Sequence, residues 1–321
     1  MQLIDMLIPI ILSFILTISI MPFFIKFFRD RQFGQTTREE GPLWHEAKSG
    51  TPTMGGAVFI VTAVIALIVV SMMQGLLNLP TMMLIVILLF FAAIGFLDDF
   101  IIIYKKQNEG LKSKQKFVAQ LVGSAIFVLL YFLAGAEPII TLPFVGPIEN
   151  WVAFAIFTIV WVTGFSNAVN LTDGLDGLVA GTASVAYGAY AFIAYQQNQP
   201  EILLFCLVII GALIGFFLFN KKPAQIFMGD VGSLALGAGL AVVSIALRQE
   251  WSLLIIGLVF VVETASVILQ VGSFKLRGKR IFKMSPIHHH FEMSGWSEWR
   301  VVITFWIVGL VAAVVGLLLV G

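Results

Sequence analysis

The sequence predicts an all-α fold: a polytopic integral membrane protein with ten transmembrane helices and both termini extracytoplasmic. Three observations lead there. Of 321 residues, 59% are hydrophobic and only 12% are charged, about half the charge of an ordinary soluble domain. Apolar runs of about 20 residues, each long enough to cross a bilayer, recur along the whole length. The basic residues fall in every second segment between those runs. A large soluble helical core is a poor alternative, because buried soluble helices are rarely this long or this free of charge.

Hydropathy places the spans at about 3–25, 55–75, 80–101, 117–134, 151–170, 175–195, 202–219, 231–247, 252–272 and 301–320. The first run reads as a retained span rather than a cleaved signal, since no basic stretch precedes it and Asp5 is its only early charge. The first inter-span segment carries Lys26, Arg29, Arg31, Arg38 and Lys48. The third carries Lys105, Lys106, Lys112, Lys114 and Lys116. The seventh has Lys221 and Lys222, and the ninth has Lys275, Arg277, Lys279, Arg280, Lys283 and Arg300. Of the 19 Lys and Arg, only Arg248 lies in an even-numbered segment. Basic loops mark the cytoplasmic side, so the odd-numbered segments are expected there. The chain reads as one transmembrane domain, 1–321, with cytoplasmic working loops at 26–54, 98–116, 170–176, 220–230 and 273–300. Cys206, the sole cysteine, lies in an apolar run, which argues against a disulfide framework or a thiolate metal site.

Acidic residues gather on that same side. Asp98 and Asp99 close the third span, where the negative end of a helix dipole opposes them. The run Asn170-Leu-Thr-Asp-Gly-Leu-Asp-Gly177 joins spans five and six, and Asp173 and Asp176 share a face if the segment is helical. Phe227-Met-Gly-Asp-Val-Gly-Ser233 opens span eight. Each motif alone could be a helix end or a cap. Together they bring Asp98, Asp99, Asp173, Asp176 and Asp230 from three loops to one membrane surface. Carboxylate oxygens are the hard ligands that Mg²⁺ prefers, often bridging to substrate phosphates.

Groups suited to phosphate lie on the same side. Lys48-Ser-Gly-Thr-Pro-Thr-Met-Gly-Gly56 leads into span two, and Thr51-Pro52 reads as a helix start whose free N–H groups suit an anion. Ser285-Pro-Ile-His-His-His-Phe-Glu292 lies in the ninth segment. Its histidines suit phosphate or proton handling better than metal, since three adjacent residues cannot all face one ion.

These five motifs, in this order and over the whole chain, resemble the phospho-N-acetylmuramoyl-pentapeptide transferases, a family of the polyprenyl-phosphate N-acetylhexosamine-1-phosphate transferase superfamily. The resemblance implies transfer of phospho-N-acetylmuramoyl-pentapeptide from its UDP-linked donor to undecaprenyl phosphate, giving lipid I and UMP, at the cytoplasmic face of a bacterial plasma membrane. It implies Mg²⁺ held by Asp230, with Asp98 and Asp99 beside the lipid phosphate and His288 in a catalytic role. Lys48, Asn170, Asp173, Asn220, His289 and His290 would line the same cleft. Gly174, Leu175, Asp176 and Phe227 match the family's uridine pocket. A homodimer is expected, with the ninth span broken to leave a groove for the lipid chain; nucleic acid is not an expected partner. Glu263, inside that span, is costly in lipid and should face protein or the groove. Two alternatives remain: a sister enzyme transferring N-acetylglucosamine-1-phosphate to the same lipid, which usually carries a different histidine pattern, and an ion transporter, which needs polar groups at mid-membrane depth.

Overall fold

The structure, a computed structural model, describes residues 3–31, 33–34, 50–105, 109–142 and 146–320. Lys48, Arg38 and Lys106 lie outside the described residues. Twelve helices and one hairpin follow in order: α1 Leu3–Asp30, α2 Gly55–Gln74, α3 Leu79–Lys105, α4 Ser113–Leu133, β1 Ile139–Leu142, β2 Gly146–Glu149, α5 Trp151–Thr172, α6 Leu178–Gln196, α7 Pro200–Asn220, α8 Gly229–Ala246, α9 Ser252–Ile256, α10 Leu258–Arg277, α11 Ile287–Glu292 and α12 Glu298–Val320. Among the described residues, ten of these helices are long and apolar enough to span a membrane, so this is a multi-pass membrane protein. β1 and β2 pair antiparallel, with Ile139 opposite Glu149.

Helix α8 is the centre of the bundle, and every residue from Val231 to Ile245 is buried. In lipid, helices associate through close packing rather than through loss of apolar surface to water, so small residues mark the contacts. Gly56 of α2 meets Gly232 of α8 backbone to backbone, Gly95 of α3 lies on the Asp230 carbonyl, and Gly237 of α8 lies on the Phe165 carbonyl of α5. A methyl group at any of these would overlap main-chain atoms.

Polar contacts close both ends. At one end Asn78 donates to Glu201 at 2.5 Å, and Arg248 pairs with Glu137 at 2.8 Å. At the other, the residue 220–228 loop is tied to α2, α6 and α12. The expected ninth span, 252–272, is interrupted at Gly257, where α9 ends and α10 begins. Two expected boundaries are corrected. Helix α3 does not end at Asp99 but runs on through Phe100 to Lys105, because Ile101, Ile102, Ile103 and Tyr104 continue the apolar pattern; the dipole argument for the aspartate pair falls with it. Helix α2 starts at Gly55, not at Thr51-Pro52: Pro52 bridges Gly34 and its carbonyl accepts Phe227 N–H at 2.8 Å, which holds that stretch extended.

Candidate active site

Two helices bring three carboxylates into one cluster. Asp98 and Asp99 come from α3 and are buried; Asp230 opens α8 and is half-buried. One carboxylate oxygen from each lies within 4.8 Å of the others. Gly229, at φ 73, turns the chain into α8 at this point, and a side chain there would collide with Asp99. The third acid therefore reaches the pair because of one backbone conformation that glycine adopts freely.

The acids are oriented by donors. Leu111 N–H donates to Asp98 Oδ1 at 2.9 Å, and Val231 N–H to Asp99 Oδ2 at 3.3 Å. Asn170, near the end of α5, donates from Nδ2 to Asp230 Oδ1 at 2.7 Å and to Ser233 Oγ at 2.9 Å. Lys116 of α4 contacts Asp230 Oδ2 and stands 3.8 Å from Asp98 Oδ2. The lysine's helix is locked to α5 by a reciprocal amide pair: Asn167 Nδ2 donates to Gln120 Oε1 at 2.9 Å, and Gln120 Nε2 returns a bond at 3.3 Å. Among the described residues, Lys116 is the one cation facing three carboxylates. That excess of negative charge and hard oxygen fits a divalent cation.

A second group lies where α5, α6, α7 and α12 meet. Asp173 caps α5, and residues 174–177 turn rather than continue the helix, so Asp173 and Asp176 do not share a helical face. Asp176 is buried: its Oδ2 accepts Ala224 N–H at 3.0 Å, and its own N–H donates to Glu298 Oε1 at 2.9 Å. Lys222 pairs with the other oxygen of Glu298 at 2.9 Å. Asn220 accepts Gly177 N–H at 2.9 Å and donates to Ile226 C=O at 3.0 Å, which ties the turn to the 220–228 loop. Leu175 is buried with Leu178, Val301 and Phe305. Phe227 is half-buried in that loop. The expected free N–H groups at the start of α2 are taken: Gly55 and Gly56 donate to the Phe227 and Met228 carbonyls at 2.9 and 2.8 Å.

The histidine run is not a loop but the short helix α11, because Pro286 starts it and the Met293 N–H closes on His289 C=O. His288 is fully buried, and its Nε2 lies against Gly174. Its Nδ1 stands 3.1 Å from Oε1 of Glu263. His289 Nδ1 is 2.8 Å from Glu292 Oε2, and His290 Nδ1 accepts Lys283 N–H at 3.1 Å.

Sequence reasoning missed Lys116, Ser233, Glu298 and Lys222 as members of these groups. Lys116 had a signal: with Gln120 and Ser124 it forms a polar stripe at helical spacing on an otherwise apolar span. Glu298 and Lys222 had none, since nothing local links residues so far apart.

The sequence matches the Glycosyl transferase family 4 profile over residues 79–248. It also matches the phospho-N-acetylmuramoyl-pentapeptide-transferase signature 1 over residues 48–60. It is 54% identical over 313 residues to the phospho-N-acetylmuramoyl-pentapeptide-transferase of Lacticaseibacillus paracasei, covering 98% of each chain. It is 55% identical over 306 residues to the protein of that name from Lactiplantibacillus plantarum, and 52% identical over 306 residues to the one from Enterococcus faecalis, covering 95% of each chain in both cases.

Proposed function

The chain belongs to the phospho-N-acetylmuramoyl-pentapeptide transferase family, and on that premise we propose that its carboxylate cluster transfers phospho-N-acetylmuramoyl-pentapeptide from the UDP-linked donor to undecaprenyl phosphate. Lipid I and UMP are the products. A lipid phosphate oxygen forms a bond to the sugar-bearing phosphorus, and the bond from that phosphorus to the UMP oxygen breaks. The observation that carries this reading is the meeting of Asp98, Asp99 and Asp230 within 4.8 Å on a membrane protein of this family.

Asp230, with Asp98 and Asp99, would hold Mg²⁺. When bound, that ion neutralises the pyrophosphate and the charge developing on the departing UMP. The chain's own residues do the positioning. Asn170 and Lys116 fix the Asp230 carboxylate from two sides. Asp98 orients the lipid phosphate or takes its residual proton. The turn at 174–177 and the 220–228 loop form the nucleotide side, clamped together by Asn220, Asp176 and Glu298. His288, His289 and His290 serve phosphate or proton handling, and Lys48 serves the same cleft. With only Arg248 basic in the even-numbered segments, this face is cytoplasmic. There a water-soluble nucleotide can meet a lipid headgroup without either changing phase. The enzyme works as a homodimer in the bacterial plasma membrane.

Offering the two nucleotide-sugars to purified enzyme with undecaprenyl phosphate tests the assignment. Turnover is expected with the muramoyl-pentapeptide nucleotide and not with UDP-N-acetylglucosamine; the reverse preference would assign the chain to the sister reaction. Glu263, the acid that raised the transporter reading, is enclosed against His288.

A further inference from the structure

Glu263 is a carboxylate within the membrane-spanning helix α10, and it is 0% exposed. Among the described residues neither of its oxygens finds a hydrogen-bond donor, although Oε1 stands 3.1 Å from Nδ1 of His288. The two groups are close enough for an ion pair and lie out of line for a hydrogen bond. The imidazole is equally enclosed and its Nε2 has no hydrogen-bond partner among the described residues. That nitrogen lies against Gly174, in the turn that follows Asn170 and Asp173. A buried polar nitrogen without a partner is rare in a folded protein and calls for a ligand or a task. A carboxylate at membrane depth is rarer still unless another group needs it.

From this we infer that Glu263 is a positioning residue for His288, a role that rests on the assignment of His288 to phosphate handling. Whichever nitrogen a histidine offers is set by what its other nitrogen faces. With Glu263 at Nδ1, the proton belongs on that side of the ring. Nε2 is then the nitrogen presented past Gly174 to the substrate. Glycine at 174 is part of the device, because a side chain there would occupy the position that Nε2 holds. Glu263 touches no reacting atom in this scheme, and its effect passes through the imidazole.

The test is a double-mutant cycle on the full-length protein in detergent, using undecaprenyl phosphate and the muramoyl-pentapeptide nucleotide. Glu263→Gln is expected to lower kcat by about 10- to 100-fold, as loss of an orienting partner commonly does, with KM for the nucleotide changed less than about 3-fold. In a His288→Ala background the same substitution should cost nothing further, since its partner is gone. A merely structural role would lower activity in both backgrounds and would lower the unfolding temperature in step. Additive losses, or normal kcat in folded Glu263→Gln, would overturn the inference while His288 kept its role. Normal turnover in folded His288→Ala would overturn both. If Glu263→Gln does not fold, Glu263→Asp carries the cycle, with a smaller kcat loss that also vanishes beside His288→Ala; a loss that persists there overturns the inference.

Discussion

Lys116 on α4 reaches the carboxylate of Asp230 on α8, contacting Oδ2 while Asn170 of α5 holds Oδ1 at 2.7 Å. Three helices thus fix one acid. Removing the ammonium takes one positive charge from beside Asp98 and Asp230 and leaves Asp230 without its Oδ2 partner. Lys116→Met should reduce UMP release by at least ~100-fold, the scale of losing one charge-stabilising group at a phosphoryl-transfer site. Steady-state turnover of folded variant against wild type checks this. A loss below tenfold would make Lys116 a bystander.

Asp98→Asn, Asp99→Asn and Asp230→Asn should each lose at least ~100-fold in rate while remaining folded. Asp230→Asn should also raise the Mg²⁺ concentration needed for half-maximal activity, because it removes a proposed metal ligand. Metal titrations of residual activity read this directly. Near-normal turnover in a well-folded Asp230→Asn would remove the metal from Asp230.

Gly95 lies on the Asp230 carbonyl, so Gly95→Ala forces α3 and α8 apart at the site itself. Overpacking of this kind costs about 1–3 kcal/mol. The variant should unfold at lower temperature and lose activity, whereas Gly272→Ala, in open space on α10, should change neither. Thermal unfolding in detergent, followed with turnover, distinguishes the two.

At the opposite end, Glu250 lies between α8 and α9 and is 1% exposed. Burial raises its carboxyl to about 7, against the partial opposition of its own backbone N–H and Arg248. The folded state therefore binds this proton more tightly than the unfolded chain, whose carboxyl keeps its ordinary value of 4.5. Stability from this group is greatest at low pH and is lost as pH rises from that ordinary value through about 7. The unfolding temperature of the wild type, relative to Glu250→Gln, should fall between about pH 5 and about pH 8. A difference that stays constant with pH would show that Glu250 does not titrate there.

The chemical route follows from the nucleophile. A phosphate monoester has its second pKa near ~6 and is mostly dianionic at neutral pH, so direct attack needs little help from a base. A covalent route would need an aspartate to attack first, and Asp230, as the proposed metal ligand, would be a weakened nucleophile. Labelled UMP should not exchange into the nucleotide substrate without lipid phosphate. Exchange in lipid-free enzyme, abolished by one aspartate substitution, would establish the covalent route.

The spans were legible because bilayer thickness imposes a length and composition on every crossing helix. The acids were legible because carboxylates beside long apolar runs are conspicuous. What stayed hidden depends on register between helices. The polar stripe of Lys116, Gln120 and Ser124 marks an inward face of α4, but not its partner; delivery of Lys116 to Asp230 follows from Gln120 and Asn167 interlocking and from Gly95 lying on α8. Hydropathy places the second span at about 55–75, as found, whereas the reading of Thr51-Pro52 as a helix start fails because Phe227 N–H captures the Pro52 carbonyl. The histidines read as a loop because His288 packs against Gly174 and Glu263, which lie far from it in sequence.

The most direct measurement is UMP release from the muramoyl-pentapeptide nucleotide by purified enzyme stripped with chelator, with undecaprenyl phosphate and Mg²⁺ each added or withheld. Release is expected only when both are present, with one lipid I formed per UMP. Full turnover in excess chelator, or UMP release that does not require the lipid phosphate, would contradict a metal-assisted transfer to lipid at the Asp98, Asp99 and Asp230 cluster.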